Sequence, residues 1–120
     1  MSFINITIHT ILRMGLYGIY GSHTTEACPL FNVENRKLIL EIAEVLEKTA
    51  SKNKVKILEQ YHCGLEHTFI WIVDAENAHL IQDLMIETRV AKFNVLKIVP
   101  FGTFKELVEI CKKLELSNHV

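Results

Sequence analysis

The 120-residue sequence has little proline and glycine, two and five residues, and only one tryptophan and three cysteines. So little proline and glycine excludes a collagen-like or low-complexity chain. Three cysteines is an odd count, and their spacing matches no disulfide framework, which favours a reducing cytoplasm over a stapled secreted module. Neither sign of charge dominates: 13 basic residues meet 14 acidic ones, for a net charge of −1. The basic residues are scattered along helix-like segments, so the stripe that nucleic acid requires is missing and no nucleic-acid partner is expected. No apolar run approaches the roughly 20 residues of a membrane-spanning helix, so no membrane partner is expected.

What is present is a globular composition, 49% hydrophobic and 22% charged, at the length of one ordinary domain. The opening MSFINITIHTILRM lacks the basic start, continuous apolar core and small-residue cleavage site of a signal peptide. Two readings of residues 1–13 stay open. Ile4, Ile6 and Ile8 alternate with polar residues as an additional strand would, or Met14 is the natural start and 1–13 form a dispensable extension to a single domain over 14–120.

LYGIYGS (16–22) reads as a strand. Asn32 is placed to cap a helix of about four turns carrying Leu38, Ile39, Ile42, Val45 and Leu46 on one stripe. VKILEQYHC (55–63) alternates as a strand, with Val55, Ile57 and Tyr61 in one phase, and Gly64 marks its turn. HTFIWIVD (67–74) is apolar in both phases, as in a central strand. Asp74 is expected to cap the next helix, whose stripe is Ala78, Ile81, Leu84 and Met85, with His79 outside it. KFNVLKIVP (92–100) is a fourth strand. Thr103 and Glu106 form a capping box for a last helix with an inner face of Phe104, Leu107, Val108, Cys111 and Leu114, which makes Cys111 core.

The order is βαββαβ plus a C-terminal helix, the ferredoxin-like arrangement of an α+β fold: a four-stranded antiparallel sheet, order 4-1-3-2, with both crossover helices on one face. The other face is left bare although the third strand is apolar on both sides, with Phe69, Trp71 and Val73 facing one way and Ile70 and Ile72 the other. Face-to-face packing of two sheets in a homodimer would cover it, and the last helix folding over part of it is the alternative.

This topology brings two polar clusters to one edge of the sheet. GSHTTEACP (21–29) follows the first strand, and YHCGLEHT (61–68) spans the turn between the second and third. Imidazole and thiolate are preferred ligands of zinc and copper, so His23, Cys28, Cys63 and His67 are the candidate set for a transition metal or a small ligand, with Glu26, His62 and Glu66 as accessory groups. The spacings are not those of a zinc finger, and adjacent His62 and Cys63 point to opposite faces of a regular strand. Thiol chemistry is the alternative: Cys28, near a helix start and His23, is the candidate nucleophile of an enzyme or redox sensor, with Cys63 as its resolving partner. A third reading is an interaction module without chemistry, because buried cysteines and strand-end histidines also serve packing and turn carbonyls. His119 is read as solvated.

SHTTEAC after the first strand, the Tyr-x-Cys-Gly turn followed by EHT, VDAENA before the second helix and FGTFKEL before the last resemble a group of small ferredoxin-like proteins. Their outline is similar to the dimeric α+β barrel superfamily, which includes muconolactone-isomerase-like and antibiotic-monooxygenase-like members. The resemblance covers roughly residues 14–110 and implies the fold and a dimer. It does not select among the isomerases, oxygenases, haem enzymes and ligand binders of that superfamily. The matching positions are His23, Glu26, Cys28, Cys63 and His67. Thr25 stands where the group often has proline, and Glu66 where it often has aspartate.

Overall fold

The computed structural model describes residues 14–118. The extension 1–13 and His119 lie outside the described residues, and so do the two readings of that extension. The described chain forms β1 (Leu16–Ser22), α1 (Val33–Lys52), β2 (Lys56–Cys63), β3 (Thr68–Asp74), α2 (Ala78–Glu87), a 3₁₀ turn (Val90–Lys92), β4 (Val95–Phe101) and α3 (Phe104–Asn118). The four strands make one sheet in the order β2-β3-β1-β4, which counted from the β4 edge is 4-1-3-2. Every pairing is antiparallel. It is an α+β fold with three α-helices among the described residues.

Register sorts the side chains between two faces, because directly opposed residues of an antiparallel pair share a face. Ile19 stands between Trp71 and Ile98. With Val73 it packs against Leu38 and Ile42 of α1 and Ile81, Leu84 and Met85 of α2, but Ile39 and Val45, expected on the α1 stripe, are exposed. Tyr20, by contrast, stands between Ile70 and Lys97 on the face without helices. Gly21 belongs to the covered face, where the Phe69 ring lies so close over it that a Cβ would collide.

β2 departs from regular alternation. Its pairing with β3 slips between Ile57 and Glu59, a bulge that leaves Leu58 without an opposed residue. Ile57 opposes Val73 on the covered face, but Tyr61 opposes Ile70 on the open one. The expected common phase of Ile57 and Tyr61 is therefore broken.

Asn32 caps α1 as expected, its Oδ1 accepting from the Asn35 amide at 2.9 Å. The helix runs for 20 residues, longer than the four turns read from its stripe. Asp74 does not cap α2. It remains paired in β3 and accepts from the Gly15 amide at 3.0 Å, while Asn77 caps the helix through the Leu80 amide at 3.2 Å. β4 starts at Val95, later than residue 92, because Val90–Lys92 closes a 3₁₀ turn entered through a left-handed Arg89 (φ 71°).

At α3 the capping box forms: Thr103 Oγ1 accepts from the Glu106 amide at 3.0 Å, and Glu106 Oε1 accepts from the Thr103 amide at 3.4 Å. The expected inner face, however, is not inward. Phe104 is 79% exposed, Leu107, Cys111 and Leu114 are exposed too, and the helix makes no extensive contact with the sheet or the other helices. The capping signal is local and forms without a partner, whereas the apolar stripe has nothing within the described chain to pack on. Cys111 is therefore not a core residue.

Candidate metal centre

The loop between β1 and α1 is fixed from both sides. On the sheet side, the His23 amide donates to the His67 carbonyl at 3.1 Å, which ties the loop to the β2–β3 turn. On the helix side, Asn32 Nδ2 donates to the Glu26 carbonyl at 3.1 Å and Asn35 Nδ2 to the Ala27 carbonyl at 2.7 Å. The Cys28 carbonyl accepts from the amides of Phe31 and Asn32, at 2.9 and 2.7 Å. The Arg36 guanidinium spans the carbonyls of Pro29 and Leu30 at 3.0 and 3.1 Å. The loop backbone is thus held mainly by Asn32, Asn35 and Arg36 of the following cap and helix, with Thr24 Oγ1 accepting from the Ala27 amide within the loop.

Held in this way, His23, Cys28 and His67 converge: one donor atom of each lies within 4.8 Å of the other two. Cys28 is buried, 3% exposed, and both histidines are half-buried. Each imidazole has one nitrogen with a partner and one without. Asn94 Nδ2 donates to the Val90 carbonyl at 2.9 Å, which leaves its Oδ1 to accept from His23 Nδ1 at 2.8 Å. That arrangement puts the proton of neutral His23 on Nδ1 and the lone pair on Nε2. His67 Nε2 meets Thr25 Oγ1 at 3.3 Å. The remaining nitrogens, His23 Nε2 and His67 Nδ1, are buried with no hydrogen-bond partner.

Buried polar atoms are nearly always paired, so two unpartnered imidazole nitrogens beside a buried thiol mark a place for something else. A metal ion would satisfy both, and the bonds to Asn94 and Thr25 are the outer contacts that orient metal-binding imidazoles. His23, Cys28 and His67 would supply three of the four ligands of a tetrahedral zinc site and leave one position open. Rings flank the cluster: Phe93 lies 5.7 Å from His23, and Phe31 lies 6.4 Å from His67, centroid to centroid.

His67 carries a backbone cost as well. It ends the turn in the left-handed region at φ 57°, a conformation glycine adopts freely and other residues adopt at a cost. A histidine at that position places its imidazole against His23, with ring centroids 5.7 Å apart.

The other residues singled out by the sequence do not enter the cluster. Cys63 opposes Thr68 at the end of β2 and is exposed, displaced to the open face by the parity that the Leu58 bulge imposes. His62 takes the covered side of β2 but is exposed at the strand end, and Glu26 and Glu66 are exposed. All three cysteines are free thiols. Asn94 was missed in the sequence, where it falls inside the expected strand 92–100. Its only signal is topological, since β4 lies beside β1 and its start therefore falls next to the residue that follows β1.

The fold and the cluster together define a small α+β protein with a His₂Cys group that could hold a metal ion. No family model and no curated protein matches the chain.

Proposed function

We propose that this protein binds a transition metal, zinc or copper, through His23 Nε2, Cys28 Sγ and His67 Nδ1. The observation that carries the reading is the pair of buried, unpartnered imidazole nitrogens beside a buried thiol. Two imidazoles and one thiolate suit both metals, and three protein ligands leave one coordination position open. The burial of Cys28 favours the role of ligand over that of nucleophile, since reactive cysteines are partly exposed.

The test is elemental analysis of untagged protein purified under reducing conditions, followed by titration with zinc and with copper(I). One equivalent of metal and a raised melting temperature are expected, because a ligand of the folded state at 100 times its Kd stabilises by about 2.7 kcal/mol. Absence of a stoichiometric metal together with an unmoved melting temperature would sink the reading.

We also propose that the domain is ferredoxin-like, of the dimeric α+β barrel type, and that its partner is a second copy. Two apolar surfaces support this: the open sheet face, whose groove of about 700 Å³ is lined by Tyr20, Tyr61, Ile70, Val95 and Val99 among others, and the exposed stripe of α3. A two-fold copy covers both at once, and a net charge of −1 offers little repulsion between copies. Sedimentation equilibrium should return twice the chain mass, and a monomer at micromolar concentration would exclude the dimer. Three free thiols fit a reducing compartment, and we place the protein in the cytoplasm.

A further inference from the structure

A cavity of about 370 Å³ lies against all three members of the cluster, between the covered face of the sheet and α1. Beyond the cluster its wall is built mainly of Pro29, Leu30, Ile39, Ile42, Trp71 and Phe93. This volume is within the range of small-molecule sites and far more than a bound water needs. Among the described residues, no aspartate, glutamate, lysine or arginine lines it. Its polar side chains offer little to a ligand. The Asn94 amide is engaged by His23 and Val90, Thr68 and Cys63 take the open-face side of their strands, and His62 stands at the exposed strand end.

We infer, on the basis of the proposed metal, that the cavity takes a small apolar molecule with a single anionic oxygen donor, an aromatic carboxylate or phenolate, which fills the open coordination position. For a divalent ion the charge balance favours a monoanion, and the apolar wall favours an apolar body on it. A divalent ion with one thiolate and two neutral imidazoles carries one net positive charge, and a monoanionic donor neutralises it in surroundings of low polarity. The apolar body then replaces water against Trp71, Ile42 and Phe93. A second anionic group would meet no lysine or arginine among the described wall residues, with His62 standing only at the exposed strand end, and would bear a desolvation cost. Binding exchanges coordinated water for the carboxylate or phenolate oxygen and involves no redox step.

The experiment uses the full chain loaded with cobalt(II), whose visible absorption reports the coordination sphere, and titrates three probes: benzoate, acetate and terephthalate. Benzoate should shift the cobalt bands and quench the emission of Trp71, the only tryptophan. Its Kd should be on the order of tenfold or more below those of acetate, which lacks the apolar body, and terephthalate, which carries the second charge. Ile39→Phe, a substitution on an exposed face of α1 that also lines the cavity, should retain the cobalt spectrum and lose the preference for benzoate. Equal affinity for acetate and benzoate on a cobalt-loaded protein would overturn the cavity proposal and leave the metal reading standing. So would quenching of Trp71 without a shift of the cobalt bands, which would place the anion at His62 instead. Failure of cobalt to bind overturns both.

Discussion

The two faces of the sheet are built from the same strands and from similar residues, yet they have opposite fates. One carries Ile19, Phe69, Trp71, Val73 and Ile98 beneath α1 and α2, and at its end holds the His₂Cys cluster and a cavity. The other carries Tyr20, Ile70, Val99 and Tyr61 and, among the described residues, has no helix packed over it. The contrast teaches that apolar content alone does not make a core or a site. Both crossover connections return over the same face, so among the described residues that face alone is closed, and there two imidazole nitrogens are buried without a hydrogen-bond partner.

The largest expected effect separates the faces by stability. Ile19→Ala, at a position with no exposure, should cost about 2–5 kcal/mol in a denaturant melt, and Ile70→Ala on the open face clearly less at a protein concentration low enough to hold the monomer. Equal losses would mean that the open face is as closed as the other.

The second effect separates two cysteines of similar sequence surroundings. Cys28→Ser should weaken metal binding on the order of 100-fold or more in a competition titration, and Cys63→Ser should leave it within about twofold. A comparable loss from Cys63→Ser would show that the end of β2 turns inward when the ion binds. A third variant sets function against backbone preference at His67. His67→Gly relieves the left-handed strain, so its unfolding free energy should stay within about 1 kcal/mol of the parent while metal binding is lost.

The smallest effect lies away from both faces. Hydrogen bonds from Lys52 and then Asn53 hold the Glu87 carboxyl below its ordinary value of 4.5. A depressed carboxyl contributes its stability above the ordinary value and loses it as pH falls through the folded one. Glu87→Gln should therefore lower the melting temperature slightly at neutral pH, and the difference should vanish in strongly acidic buffer. The pair lies exposed at the surface, which keeps the effect small.

Much of the fold was legible because its signals are local. The stripe of Ile81, Leu84 and Met85, the cap at Asn32 and the capping box of Thr103 with Glu106 each need only neighbours within a few residues. The convergence of His23, Cys28 and His67 was also legible, since chain connectivity alone brings the end of β1 and the start of β3 to one edge. The role of Asp74 was misjudged because two hydrogen-bonding fates compete for one carboxylate, and the Gly15 amide, 59 positions away, is the acceptor's actual partner. Asn94 was passed over because its importance comes from a contact 71 positions distant.

The sequence by itself determined which residue types were available and roughly where each would lie along the chain: a histidine and a cysteine between β1 and α1, and two histidines and a cysteine around the β2–β3 turn. Which of them meet was decided by tertiary structure. Counted from Ile57 in regular alternation, Tyr61 and Cys63 belong to the covered face. The bulge at Leu58 reverses that parity and turns both to the open side. One unopposed residue exchanges every side chain after it between the faces, and pattern along a strand cannot register it because the slip exists only in the pairing with β3.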